Sequence, residues 1–297
     1  ILTDMNDANA KIIDGKSISK QVLDRAAEKV RAVREARDVT PSLATVLVGD
    51  DPASATYVRM KGKRCESVGM NSMRIEMPTE TTTDELVARI RKLGEDVAVH
   101  GILLQHPVPA QIDERAAFEA IPVEKDVDGV TAASLGRMML GVPGFASCTP
   151  GGIMTLLREC EIDPKGMEAV VIGRSPILGK PMAALLINAH ATVTVCHSRT
   201  RELPDVVRRA DLIVAAVGRP RFVQGDWVKD GAVVIDAGYN EGNVGDCDYQ
   251  PCAERAAWIT PVPGGVGPMT IATLIDQTAD AAAKQLGIEI HRGGAEG

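Results

Sequence analysis

A tyrosine and a lysine stand four residues apart, Tyr57 and Lys61, within a segment over 53–68 that reads as a helix closed by Gly69. That spacing puts a phenol and an ammonium on one helix face, where both can converge on one small molecule. As an isolated pair, a surface lysine beside a half-buried tyrosine is the ordinary reading, and Lys63 and Arg64 read as solvated. Gln105 ends an apolar run immediately before His106 and Pro107. Residues 122–130 are polar and turn-like and hold Asp126 and Asp128. Two residues apart in extended chain, these acids point opposite ways. One can then face a ligand while the other braces the loop, although plain loop acids account for them as well.

A second group of residues suits a phosphorylated ligand. The segment 169–181, Ala-Val-Val-Ile-Gly-Arg-Ser-Pro-Ile-Leu-Gly-Lys-Pro, reads as strand, loop and helix start. Glycine lets backbone approach a pyrophosphate, and a helix N-terminus offers free N–H groups and the positive end of a dipole. Gly173 and Gly179 are spaced Gly-x5-Gly, not Gly-x-Gly-x-x-Gly, so a plain turn fits equally. In an NAD site an acid about 20 residues on holds the ribose 2′-hydroxyl. Here the next strand ends in Cys196-His197-Ser198-Arg199-Thr200-Arg201, with no acid. Ser198 can donate a hydrogen bond, and Arg174 and Arg199 offer planar guanidinium groups, which suits a 2′-phosphate and so NADP over NAD. Gly218 and Gly238 lie in two further turns behind strand-like runs, where an open α/β sheet holds its ligands; ordinary turns explain them too. The stretch 261–270, Pro-Val-Pro-Gly-Gly-Val-Gly-Pro-Met-Thr, is too constrained for a linker. A rigid rim against a ligand and a crossover between domains both fit it.

The elements that must position these residues alternate. Ile18, Val22, Ala26, Val30 and Val33 recur at helical steps over 17–36. Strands are expected at 42–49, 73–77 and 97–105, with a capping-box helix from Thr82-Thr83-Asp84-Glu85 to about 93. The second half continues with strands at 169–172, 192–195, 212–216 and 232–236 and helices at 181–188 and 203–209. Continuous Val/Ile runs suit parallel strands covered on both faces. A final helix over 269–286 follows a Pro/Gly stretch, so it can leave the second domain and pack on the first. The expected fold is α/β: two α/β domains flanking a cleft, the second a Rossmann-like, doubly wound parallel sheet.

Composition narrows the functions. The 297 residues carry 33 Lys+Arg against 40 Asp+Glu, a net charge of −7, with a pI of about 5.4. Only eight residues are aromatic (two Trp, three Tyr, three Phe), too few for the repeated stacking platforms of a single-strand nucleic-acid binder. The acidic balance argues against a phosphate-backbone binder. No apolar run approaches the roughly 20 residues of a membrane span, and no secretory segment opens the chain. The six cysteines include no CxxC pair, so no metal site is expected and reduced, cytoplasmic thiols are. The chain opens Ile1-Leu2-Thr3-Asp4-Met5 without an initiator methionine, so residues 1–4 read as an added remnant or a start-site question.

Taken together, the segments resemble bifunctional methylenetetrahydrofolate dehydrogenase/methenyltetrahydrofolate cyclohydrolase, the FolD family. The matching stretches are 48–54 with 57–61, 100–105, 124–129, Cys148-Thr149-Pro150, Gly173-Arg174-Ser175, Cys196-His197-Ser198 and 261–270, in family order over nearly the whole chain. The resemblance implies a folate-binding N-terminal domain over 1–146, completed by a C-terminal helix at 269–290, and an NADP-binding domain over 147–268. It implies hydride transfer from 5,10-methylenetetrahydrofolate to NADP⁺, then hydrolysis of the methenyl product to 10-formyltetrahydrofolate, in one-carbon metabolism and purine biosynthesis. By resemblance Lys61 is the central catalytic residue, contacted by Gln105. Tyr57 stacks on or orients the pterin, and Asp128 takes its amino edge. Leu104, Pro263 and Gly264 lie along the substrate. Thr149, Gly173, Arg174, Ser175, Ser198, Gly218 and Gly238 face the cofactor. A homodimer is also implied. Position 106 departs from the family, with His where Leu is usual beside the glutamine; its ring either bears on the folate site or turns outward. The competing readings are another two-domain NADP dehydrogenase, similar to shikimate dehydrogenase, and a catalytically silent NADP- or folate-binding regulator.

Overall fold

The computed structural model describes residues 10–289, and the start-site question falls outside them; the final helix, expected to run to 290, ends at Gln285, two residues before Gly287 takes a left-handed φ of 65°. In chain order the elements are β1 (Lys11–Ile12), α1 (Gly15–Arg37), β2 (Ser42–Val48), α2 (Pro52–Ser67), β3 (Asn71–Met77), α3 (Thr83–Glu95), β4 (Gly101–Leu104), α4 (Glu114–Glu119), α5 (Ala132–Met139) and α6 (Cys148–Glu159). There follow β5 (Glu168–Ile172), α7 (Gly179–Asn188), β6 (Thr192–Cys196), α8 (Leu203–Val207), β7 (Leu212–Ala215), β8 (Val233–Asp236), α9 (Tyr249–Ala253), β9 (Trp258–Ile259) and α10 (Val266–Gln285). They divide into two compact units. Among the described residues, the first comprises 20–137, 143–148 and 271–289; the second comprises 10–19, 138–142 and 149–270.

The first unit is built on a parallel three-stranded sheet in the order β3-β2-β4. Central β2 is buried at every position, as a strand covered on both faces must be. Its helix α2 starts at Asp51, whose carboxylate accepts from Ser54 N at 2.7 Å, and ends before Gly69 at φ 79°, where a left-handed residue is needed. The Thr82–Glu85 capping box forms as the sequence indicates. Strand β4 starts at Gly101, four residues later than expected, because Asp96 turns the chain first: its side chain accepts from Ala98 N and its carbonyl from Val99 N. The core joins Ala26, Val30, Leu43, Cys65 and Leu103 to Leu274, Ile275 and Ala279 of α10. Each fully buried Leu or Ile contributes about 1.5–3 kcal/mol, which ties the last helix to this unit.

The second unit holds a parallel six-stranded sheet in the order β1-β9-β8-β7-β5-β6. The chain runs from β5 outward to β6, then crosses to β7 on the other side of β5. That reversal is a topological switch point at the carboxyl ends of β5 and β7, where open α/β sheets bind ligands. The sequence reading places everything before 147 in one domain. The structure instead places residues 10–19 here, because Lys11 and Ile12 pair with Trp258 and Ile259 and the Lys11 ammonium lies 5.0 Å from the Trp258 ring centre. Two residues are too few to show a strand period. Residues 138–142 also belong here, with Asn188 Nδ2 donating to Met138 O at 2.6 Å.

Candidate active site

In the first unit, α2 follows central β2 and carries Lys61, while Gln105 stands one residue beyond β4 and donates its backbone N–H to Val46 O of β2. Both side chains thus rise at the carboxyl edge of the same sheet. Lys61 Nζ donates to Gln105 Oε1 at 2.9 Å. The other end of that amide, Nε2, donates to His106 O at 2.8 Å. With both ends of the amide engaged, its oxygen is held toward the lysine. Gln105 is 9% exposed, so its side chain is presented to Lys61 rather than to solvent.

Asp126 and Asp128 divide their work. Asp126 is fully buried and accepts from Val130 N (3.1 Å), Thr131 N (2.9 Å) and Ser134 Oγ (2.6 Å). It braces the loop. Asp128 lies within electrostatic reach of Lys61. Burial raises its pKa, opposed first by the positive charge of Lys61. Burial likewise lowers the pKa of Lys61, opposed first by Asp128. Each is thereby moved toward its neutral form, the direction desolvation dictates for a close acid–base pair.

Tyr57 lies one turn before Lys61 on α2 and is 41% exposed. His106 is half-buried, and its carbonyl anchors the Gln105 amide. Leu104 requires a correction: at 1% exposure it is a core residue with no surface for a substrate. Alternation explains this, since Leu104 and Gln105 lie on opposite faces of an extended chain. Sequence reasoning overlooked the roles of Cys148 and Gln277. The thiol donates to Val127 O at 3.2 Å and lies 3.6 Å from Gln277 Nε2; the Cys148-Thr149-Pro150 motif marked the place without the role.

The remaining site residues belong to the second unit. Gly173 follows β5 at φ 134°, and a Cβ there would lie 2.2 Å from Ala216 O, so only glycine allows β5 and β7 to end side by side. Arg174, Ser198 and Arg199 are exposed, and their side chains have no partner among the described residues. Together they form a set of polar donors at the ends of β5 and β6, chemistry that fits a dinucleotide with a 2′-phosphate. Ser175 Oγ accepts from Leu178 N (3.1 Å) and Gly179 N (3.3 Å) and so caps α7. Thr149 Oγ1 pairs with Thr270 Oγ1 at 2.9 Å. Gly264, at φ 107°, accepts from Lys16 N at 2.9 Å through its carbonyl, and Pro263 precedes it, exposed. Among the described residues no cluster of His, Cys, Asp or Glu could hold a metal ion, and no helix is long and apolar enough to cross a membrane.

Comparison with known proteins accounts for the arrangement. The family model described as tetrahydrofolate dehydrogenase/cyclohydrolase, catalytic domain, matches residues 13–128, and that for the family's NAD(P)-binding domain matches 147–286. The chain belongs to the tetrahydrofolate dehydrogenase/cyclohydrolase family. A family member from Saccharophagus degradans, bifunctional protein FolD, is 59% identical over 279 residues, 94% of this chain and 100% of that protein. The bifunctional FolD methylenetetrahydrofolate dehydrogenase/cyclohydrolase of Campylobacter jejuni matches with a TM-score of 0.90 at 43% identity, covering 93% of this chain and 99% of that one. The family enzyme of Trypanosoma brucei, solved with NADP cofactor and an inhibitor, matches with a TM-score of 0.90 at 35% identity, covering 94% and 99%. Family membership over both halves disfavours the shikimate dehydrogenase-like reading.

Proposed function

We propose that this family member oxidises 5,10-methylenetetrahydrofolate to the 5,10-methenyl form with NADP⁺ and hydrolyses that product to 10-formyltetrahydrofolate, using Lys61, Gln105 and Asp128. The observation that carries the reading is the Lys61–Gln105 hydrogen bond at 2.9 Å beside the Asp128 carboxyl. Burial favours the neutral amine of Lys61, and because Gln105 occupies one N–H, the nitrogen lone pair is directed elsewhere. In hydrolysis, Nζ takes a proton from water as the water oxygen bonds to the methenyl carbon, and a carbon–nitrogen bond of the ring then breaks to leave the formyl group. Asp128 accepts N–H donors from the pterin edge, and Tyr57 offers its ring face. Bound NADP⁺ would supply the hydride acceptor; Arg174 and Ser198 would hold its 2′-phosphate, and the backbone at Gly173 would lie along it.

A cytoplasmic homodimer completes the proposal. Six free cysteines support a reducing compartment, and the family resemblance supports the dimer. The test supplies methylenetetrahydrofolate and NADP⁺ and follows NADPH formation and methenyl decay separately. Both should occur, and Lys61→Ala should slow methenyl decay by about 100-fold or more. Absence of NADPH would remove the dehydrogenase, and normal methenyl decay in Lys61→Ala would remove the role of that lysine.

A further inference from the structure

Two buried carboxylates lie beneath the glycine turns of the second unit, Asp246 at 0% and Asp236 at 3% exposure. Asp246 Oδ2 accepts from Val217 N (2.6 Å) and Gly218 N (2.9 Å). Its Oδ1 accepts from Arg219 N (2.9 Å) and Asn240 Nδ2 (3.0 Å). Asp236 accepts from Gly238 N and Asp246 N, each at 2.9 Å, and from Cys247 N at 2.8 Å. The two acids interlock through glycine. A Cβ on Gly238 would lie 2.2 Å from Asp246 Cγ, and one on Gly245 would lie 2.0 Å from Asp236 Oδ2. Among the described residues no lysine or arginine bonds either carboxylate; the donors are backbone amides and one asparagine.

Three successive N–H groups form a concavity that ordinarily receives an external anion. In the 217–219 turn an internal carboxylate already fills it. The phosphates of a dinucleotide therefore find none of the three amides of this turn free. What the turn does present is Gly218, exposed at φ 65°, with no atom within 4 Å of the place a Cβ would take.

We infer that Asp246 is a positioning residue for the dinucleotide, holding the turn after β7 so that the open face of Gly218 meets the cofactor while the β5–β6 side takes the phosphates. The inference rests on NADP being the cofactor of this unit. Asp246→Asn keeps the size of the side chain but leaves one acceptor oxygen and sets an NH₂ against backbone donors. Isothermal titration with NADP⁺ should show binding weakened about 10- to 100-fold. The KM for NADP⁺ should rise with it while kcat stays within a few-fold, and the fluorescence of Trp227 and Trp258, both in the second unit, should match the wild type and report that this unit is folded. Asn240→Ala removes a single donor and should weaken NADP⁺ binding in the same direction, by about 2- to 10-fold. Wild-type affinity for NADP⁺ in folded Asp246→Asn overturns the inference. Should that variant not fold, Asn240→Ala decides: weaker binding supports the inference and unchanged binding overturns it. If the wild-type protein hydrolyses the methenyl substrate yet binds no NADP⁺, the cofactor assignment fails instead.

Discussion

Asp126→Ala should lower thermal stability sharply, whereas Asp128→Asn, two residues on, should change stability little and reduce activity. Asp126 is 0% exposed, so water cannot replace it as acceptor for Val130 N, Thr131 N and Ser134 Oγ. The Ser134 and Thr131 hydroxyls lie 3.1 Å apart and can serve one another, which leaves the two backbone N–H groups orphaned. At about 1–3 kcal/mol for each of the two buried unpaired donors, Asp126→Ala should cost about 2–6 kcal/mol. With a Tm change of about 2–4 °C per kcal/mol for a body of this size, the drop should be about 4–24 °C. Asp126→Asn can keep its oxygen on Thr131 and Ser134 and lose only Val130 N, so it should fall between alanine and wild type. At Asp128, asparagine removes a desolvated carboxylate together with its attraction for Lys61; these offset, and the stability change should stay within about 1 kcal/mol. Thermal unfolding followed by circular dichroism at neutral pH, paired with methenyl hydrolysis well below the transition, measures both quantities. An Asp126→Ala protein that melts with the wild type, or an Asp128→Asn protein that melts as low as Asp126→Ala, would refute this division of roles.

Methenyl hydrolysis should rise with pH as Lys61 loses its proton, beginning below the pH an exposed lysine would require, because burial lowers its pKa. The Asp128 charge opposes that shift, so in Asp128→Asn the rise should begin at still lower pH; a pH–rate profile displaced upward would contradict the pairing. Arg174→Ala should weaken NADP⁺ binding about 10- to 100-fold without altering methenyl hydrolysis, and unchanged affinity by titration would remove Arg174 from the cofactor site. Gly173→Ala sets a Cβ against Ala216 O where φ is already 134°, and should cost about 3–5 kcal/mol in chemical denaturation; wild-type stability would show that the ends of β5 and β7 separate freely.

Much of the fold is legible locally. The alternation of strands and helices, the capping box at Thr82 and the glycine after α2 are short-range patterns of burial and backbone geometry, so the chain displays them without its neighbours. Lys61 and the acid at 128 are visible the same way, through residue type and the motifs around them. Which polar atom meets which is another matter. Gln105 reaches Lys61 across 44 positions because β2 and β4 are neighbours in register. The register leaves Leu104 in the core and turns Gln105 to the lysine. Asp126 and Asp128 look alike along the chain, and only the loop folded against Ser134 makes one a brace and the other a partner of Lys61. Asp246 holds a turn 29 residues away, and β1 exists only where β9 receives it. The sequence by itself determined the elements and the inventory of chemical groups, because both follow from local periodicity and residue type. The tertiary structure decided which groups are desolvated and paired, because that depends on strand order and on what each carboxylate finds within hydrogen-bonding distance.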